Sequence, residues 1–137
     1  MPRTLKQSPG GEQPERSTIL VVEDEILVRL MIAGYLREFG FKVVEAGDAA
    51  EATRILRSDE AVEVVFSDIR MPGEMNGIAL AKWIGRNKPG VGVVLTSGHA
   101  RPADLAANAC EAAEFIAKPY MPQTVLERIE AQLDRVA

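Results

Sequence analysis

Four charged residues stand where three apolar runs stop. Glu23 and Asp24 follow Ile19-Leu20-Val21-Val22. Asp68 follows Val62-Glu63-Val64-Val65-Phe66-Ser67. Lys118 follows Phe115-Ile116-Ala117 and precedes Pro119. If folding gathers these ends, three carboxylates and one ammonium share a small volume. Two carboxylates about 4 Å apart at an effective dielectric of about 20 repel by about 4 kcal/mol. Either one takes a proton or a cation binds. Hard oxygen donors with room for water suit Mg2+, with Mn2+ as the alternative. Lys118 adds positive charge but cannot complete an octahedral shell. A carboxylate in such a setting can also act as a nucleophile and form an acyl phosphate. A divalent cation and an ammonium on opposite sides would stabilise that group and its transition state. Ser97, at the end of a further apolar run, could donate a hydrogen bond to a phosphoryl oxygen.

The elements that must position these residues can be read along the chain. Ser17 to Val22 is apolar and β-branched, as a buried strand is. Glu25 to Phe39 places Leu27, Leu30, Met31, Gly34 and Tyr35 near helical spacing, and Gly40 stops the helix. Phe41 to Ala46 is a second strand, and Asp48 caps a helix over Ala49 to Arg57. Val62 to Ser67 is a third strand. Asn76 caps a helix reaching about Arg86. Val91 to Thr96 is a fourth strand, after the Pro89-Gly90 break. Pro102 and Pro122 suit the first turns of helices ending near Cys110 and Arg135, with a short strand, Ala113 to Ala117, between them. Strand and helix alternate five times, which predicts an α/β fold: a mostly parallel sheet, right-handed crossovers and helices on both faces. Ligands of such sheets bind beyond the carboxyl ends of the strands. Those ends carry Glu23, Asp24, Asp68, Ser97 and Lys118.

The remaining composition narrows the possibilities. The chain has 137 residues, 47% hydrophobic and 26% charged, and suits one domain able to bury its own core. Residues 1–16 hold three prolines and two glycines and almost no aliphatic side chain, so they read as a disordered arm before a domain over 17–137. A net charge of −4 argues against broad electrostatic binding to nucleic acid. No apolar stretch approaches the roughly 20 residues of a membrane span, and the N-terminus lacks a signal-peptide core. A cytoplasmic protein is the expectation. The single cysteine, Cys110, allows no internal disulfide.

The segments Val22-Glu23-Asp24-Glu25, Ser67-Asp68-Ile69-Arg70-Met71-Pro72-Gly73, Leu95-Thr96-Ser97-Gly98 and Phe115-Ile116-Ala117-Lys118-Pro119 together resemble the receiver domains of two-component response regulators. The resemblance runs from about Ser17 to the C-terminus. It implies a flavodoxin-like five-stranded parallel sheet in the order 2-1-3-4-5 with five helices; the chemotaxis regulator is a standard example of that order. It also implies roles. Asp68 accepts phosphate from a histidine kinase or a histidine phosphotransfer protein. Asp24, Asp68 and the backbone carbonyl of Arg70 ligate Mg2+, with Glu23 acting through a water. Ser97 is the switch hydroxyl, preferred to Thr96 because the small Gly98 follows it. Lys118 pairs with the phosphoryl group or, before phosphorylation, with Asp68. Phe115 is the aromatic switch residue, and the bond to Pro119 is cis. The chain ends with its last predicted helix, so the expectation is no separate output domain and output through binding of a downstream protein, with a stand-alone regulator and a receiver from a larger protein both open. One departure is visible: Asp68 to Gly77 is one residue longer than the family's usual Asp-x-x-Met-Pro-x-Met-Asp-Gly loop.

Rival readings meet specific obstacles. A Mg2+-dependent aspartyl-phosphate phosphatase usually carries a second aspartate two residues after its nucleophile, where this chain has Arg70. An FMN-binding flavodoxin needs a Ser/Thr/Gly-rich phosphate loop after the first strand, where Glu23-Asp24-Glu25 would repel phosphate. A receiver-like scaffold that is never phosphorylated would not need the full set of acids, hydroxyl and lysine. The expectation is therefore a signalling module and not a dedicated enzyme. His99 reads as an exposed loop residue beside the site, Cys110 as a buried or half-buried thiol, and Met31 and Trp83 as packing residues.

Overall fold

The computed structural model describes residues 16–98 and 113–136. Five strands form one parallel sheet: β1 (Thr18–Val22), β2 (Lys42–Ala46), β3 (Val62–Asp68), β4 (Gly92–Ser97) and β5 (Glu114–Ala117), in the order β2-β1-β3-β4-β5. The helices are α1 (Ile26–Glu38), α2 (Ala49–Arg57), α3 (Gly77–Asn87) and α4 (Pro122–Val136). The helix expected over 102–110, with His99 and Cys110, lies outside the described residues, as do residues 1–15 of the expected arm. Arg16, which the sequence placed in that arm, is held in the fold. It pairs with Glu130 of α4 at 2.7 Å and lies 4.1 Å from the centre of the Phe41 ring.

Alternation along the strands divides the core in two. Ile19, Val21, Val64, Phe66, Val94 and Ile116 pack on one face, against Ile32 and Leu36 of α1 and Val125 and Ile129 of α4. Leu20, Val22, Val65 and Leu95 pack on the other, against Leu56 of α2 and Leu80 and Ile84 of α3. Both faces are covered, which is why the strands read as continuous apolar runs.

Helix caps agree with the sequence where a side chain makes them. Asp48 accepts a hydrogen bond from the Glu51 amide at 2.8 Å, and Asn76 accepts one from the Ala79 amide at 2.9 Å. Helix α1 differs. Its N-cap is Glu25, with no side-chain cap bond. Its buried residues are Ile32, Ala33 and Leu36, whereas Leu27 is 81% exposed and Leu30 and Met31 are about half exposed. Met31 is thus not a packing residue. The helix is apolar on both sides, so periodicity alone could not tell which side meets the sheet; the register of α1 against β1 and β2 decides it. Trp83 is partly buried against the second cluster, with the Arg57 guanidinium 5.4 Å from its ring centre.

Candidate functional site

The carboxyl ends of β1, β3, β4 and β5 converge on one cavity of about 310 Å3, lined by Glu23, Asp24, Glu25, Asp68, Arg70, Gly98 and Lys118. In a parallel sheet all strands end on the same edge, so residues far apart in sequence meet there. Asp68 closes β3 and is 6% exposed. Its Oδ2 accepts a hydrogen bond from Lys118 Nζ at 2.6 Å, and its Oδ1 accepts one from the Arg70 amide at 3.1 Å. Both oxygens of the carboxylate therefore have a donor. The Lys118–Pro119 peptide is cis, and the Lys118 amide donates to the Ser97 carbonyl at 3.0 Å, tying the two loop starts together.

Glu23, Asp24 and Asp68 each offer a carboxylate oxygen, and these oxygens lie within 4.8 Å of one another. Glu23 and Asp68 are buried while Asp24 is exposed. Three hard oxygen donors with an open side fit a small divalent cation that keeps some of its waters. Burial raises the Glu23 carboxyl above its usual range. A hydrogen bond from the Glu25 amide at 3.0 Å opposes the shift, and the Asp68 charge adds to it. A cation would relieve the same strain.

The support around these acids is tertiary. Arg29 of α1 donates through Nη1 to the Glu23 carbonyl at 3.0 Å and through Nε to Glu45 of β2 at 3.2 Å. The Glu23 amide donates to the Ala46 carbonyl at 3.0 Å. The acidic turn is thus anchored from two sides. A single arginine in an apolar helical run was the signal in the sequence, but nothing there said what it binds. Under Asp68, Gly77 opens α3 so close to the strand that a Cβ would lie 2.5 Å from the Asp68 carbonyl oxygen and 2.7 Å from the Ile69 Cα. Only glycine fits there. The longer loop that precedes it turns at Gly73, with φ of +97°.

Ser97 and Phe115 are not among the residues lining the cavity. Ser97 ends β4 and is buried, and Phe115, on β5, is partly buried against the second core cluster. Their register, Leu95 to Phe115 and Ser97 to Ala117, puts both on the half of the sheet beyond β3. Tyr120, which the sequence reading passed over, packs edge-on to Phe66 with ring centres 5.9 Å apart. Burial, with the charges of Glu23 and Asp68, pushes its hydroxyl up to about 12, so it stays neutral beside the acids.

Comparison with known proteins is consistent with this geometry. Residues 19–130 match the family model described as the response regulator receiver domain. The transcriptional regulatory protein AruR of Pseudomonas aeruginosa is 32% identical over 123 residues, 86% of this chain and 50% of its own length. The transcriptional regulatory protein PdtaR of Mycobacterium tuberculosis is 32% identical over 118 residues, 85% of this chain and 57% of its own. The chain thus spans just over half the length of these relatives at most. The crystal structure of a response regulator receiver protein from Sinorhizobium medicae superposes with a TM-score of 0.83 at 27% identity, covering 90% of this chain and 98% of that one.

Proposed function

Since the chain belongs to the response regulator receiver family, we propose that it is the phosphoacceptor of a two-component or phosphorelay system, with Asp68 taking a phosphoryl group from a phosphohistidine. The observation that carries this reading is the 2.6 Å Lys118–Asp68 pair at the mouth of a cavity shared with Glu23 and Asp24. One Asp68 oxygen forms a bond to phosphorus while the donor's N–P bond breaks and the imidazole nitrogen keeps the electron pair. Lys118 is already within reach of the incoming phosphoryl oxygens and moves from the carboxylate to them. Glu23, Asp24, Asp68 and the Arg70 carbonyl are the groups that would hold Mg2+. When bound, Mg2+ supplies charge neutralisation for an anion entering a pocket of three acids. The protein at most accelerates its own phosphorylation and hydrolysis and turns over no separate substrate.

The partners are a histidine kinase or histidine phosphotransfer protein upstream and a protein target downstream, in the cytoplasm. Ile26, Leu27, Leu30 and Met31 expose an apolar stripe beside the acidic cavity, suited to a helix that presents the phosphohistidine. Downstream, phosphorylation draws the Ser97 hydroxyl toward the phosphoryl group and lets Phe115 follow, which alters the surface around β5 and α4. Incubation with acetyl phosphate and Mg2+ tests the chemistry. Intact mass should rise by one phosphoryl group in the wild type and not in Asp68→Asn. An equal gain in that variant would sink the assignment. Amide shifts near Ser97 and Phe115 that ignore an acyl-phosphate mimic in the presence of Mg2+ would sink the switch.

A further inference from the structure

Among the described residues, one buried side-chain polar atom has no hydrogen-bond partner: Thr96 Oγ1. Thr96 is 1% exposed, on β4, between Val94 and the end of the strand. Leaving a hydroxyl unpaired in the interior costs stability, and valine would fill the same space without that cost. The position of the hydroxyl is informative. Thr96 lies opposite Asp68 in the β3–β4 register and opposite Ile116 in the β4–β5 register. Two residues earlier on these strands, Phe66 and Val94 are also register partners and share the core cluster under α1 and α4 with Ile116. Side chains alternate along a strand, so Thr96 and Asp68 continue that same face upward as immediate neighbours.

We propose that the Thr96 hydroxyl is a hydrogen-bond donor held in reserve for the acyl carbonyl of phosphorylated Asp68, and that it shortens the life of the phosphoryl group. This rests on Asp68 being the phosphoacceptor. In the unmodified protein Lys118 Nζ and the Arg70 amide already serve the two carboxylate oxygens. Phosphorylation makes one of those oxygens the bridge to phosphorus and draws Lys118 to the phosphoryl group, so the acyl group has room for another donor. In hydrolysis a water oxygen bonds to phosphorus, the bond from phosphorus to the bridging oxygen breaks, and the electron pair stays on the departing Asp68 carboxylate. The proton lost by the water goes to the phosphate product or solvent. Thr96 keeps its own proton throughout. Its hydrogen bond strengthens as negative charge builds on the carboxylate, so it favours the transition state over the acyl phosphate. The role differs from that proposed for Ser97, which acts on the phosphoryl oxygens.

The experiment loads wild type, Thr96→Val, Thr96→Ala and Thr96→Ser with acetyl phosphate and Mg2+, removes the donor, and follows the loss of the phosphoryl mass. Thr96→Val and Thr96→Ala should lose it about three- to tenfold more slowly than wild type. Thr96→Ser should stay near the wild-type rate. The unphosphorylated Thr96→Val protein should melt no lower than wild type, which separates the effect from damage to the fold. Wild-type decay in both Thr96→Val and Thr96→Ala overturns the proposal, as does a Thr96→Ser rate matching theirs. A wild type that takes up no phosphoryl group instead removes the phosphoacceptor reading, and this inference with it.

Discussion

Val21 and Glu23 lie two residues apart on the same side of the same chain and are almost equally buried, at 0% and 5% exposure. One is an apolar side chain among Ile19, Phe66 and Ile129. The other is a carboxylate beside two more. The sheet interior and the sheet rim are thus built on the same strands with opposite energetics. Burial in the interior stabilises at roughly 25 cal/mol per Å2 of apolar surface. Burial at the rim disfavours the charged form of Glu23 and crowds like charges. An edge of this kind persists because the layers beneath it hold the strand ends at fixed separations, and its unfavourable interactions are what a bound cation would relieve.

The contrast can be broken hardest from below. Ile129→Ala, at a fully buried position on α4, should cost about 2–5 kcal/mol of stability. Denaturant unfolding would check this. Mg2+ affinity measured where the variant is still folded should stay near wild type, because Ile129 belongs to the core cluster under the sheet and does not line the cavity. Gly77→Ala acts at the boundary. The added methyl meets the Asp68 and Ile69 backbone, so stability should fall by about 1–3 kcal/mol and phosphorylation by acetyl phosphate should slow as well. A drop in stability with an unchanged phosphorylation rate would mean that the loop moves without moving Asp68.

Changes confined to the rim should have smaller effects on stability and larger ones on chemistry. Arg29→Gln removes the donor to the Glu23 carbonyl and to Glu45. Mg2+ affinity, read by calorimetry, should weaken about three- to tenfold, against a loss of about 1–2 kcal/mol in stability. The pH dependence has a definite sign. The folded Glu23 pKa lies above its unfolded value of 4.5, so the folded state holds that proton more tightly. Its contribution to stability is fully present below 4.5 and is lost as pH rises through the higher folded value. Mg2+ affinity should climb over the same interval, since the ligand must be deprotonated. Melting temperatures measured at several pH values should therefore separate with and without Mg2+ as pH rises through this interval for wild type, and Glu23→Gln should reduce that separation. The smallest effect belongs to Tyr120. Ultraviolet titration of phenolate should place it near 12, and Asp68→Asn should lower that value, because one of the charges opposing ionisation is gone.

Much of this architecture was legible before any coordinates. Helix α2 carries its own instructions: Asp48 caps it, Glu51 sits in its first turn and Arg54 and Arg57 in its last. The acids and the lysine were legible for a topological reason, since every strand of a parallel sheet ends on one edge and Glu23, Asp68 and Lys118 each end or follow a strand. Helix α1 carries no local sign of its inward face, because the exposed Leu27, Leu30 and Met31 are as apolar as the buried Ile32, Ala33 and Leu36. Arg16 stood in a stretch that looked solvated, yet Glu130, 114 residues away, holds it.

The amino-acid order alone determined the alternation of strand and helix, the caps of α2 and α3, and the residue types delivered to the reactive edge. These depend on neighbours within a few residues, through side-chain alternation, helical spacing and local hydrogen bonds. Tertiary structure alone decided which side of α1 faces the sheet, that Arg29 grips the Glu23 carbonyl, and that Thr96, whose hydroxyl has no partner, lies opposite Asp68 in the sheet. Those outcomes depend on the register between elements and on distances across strands, and no local pattern encodes either.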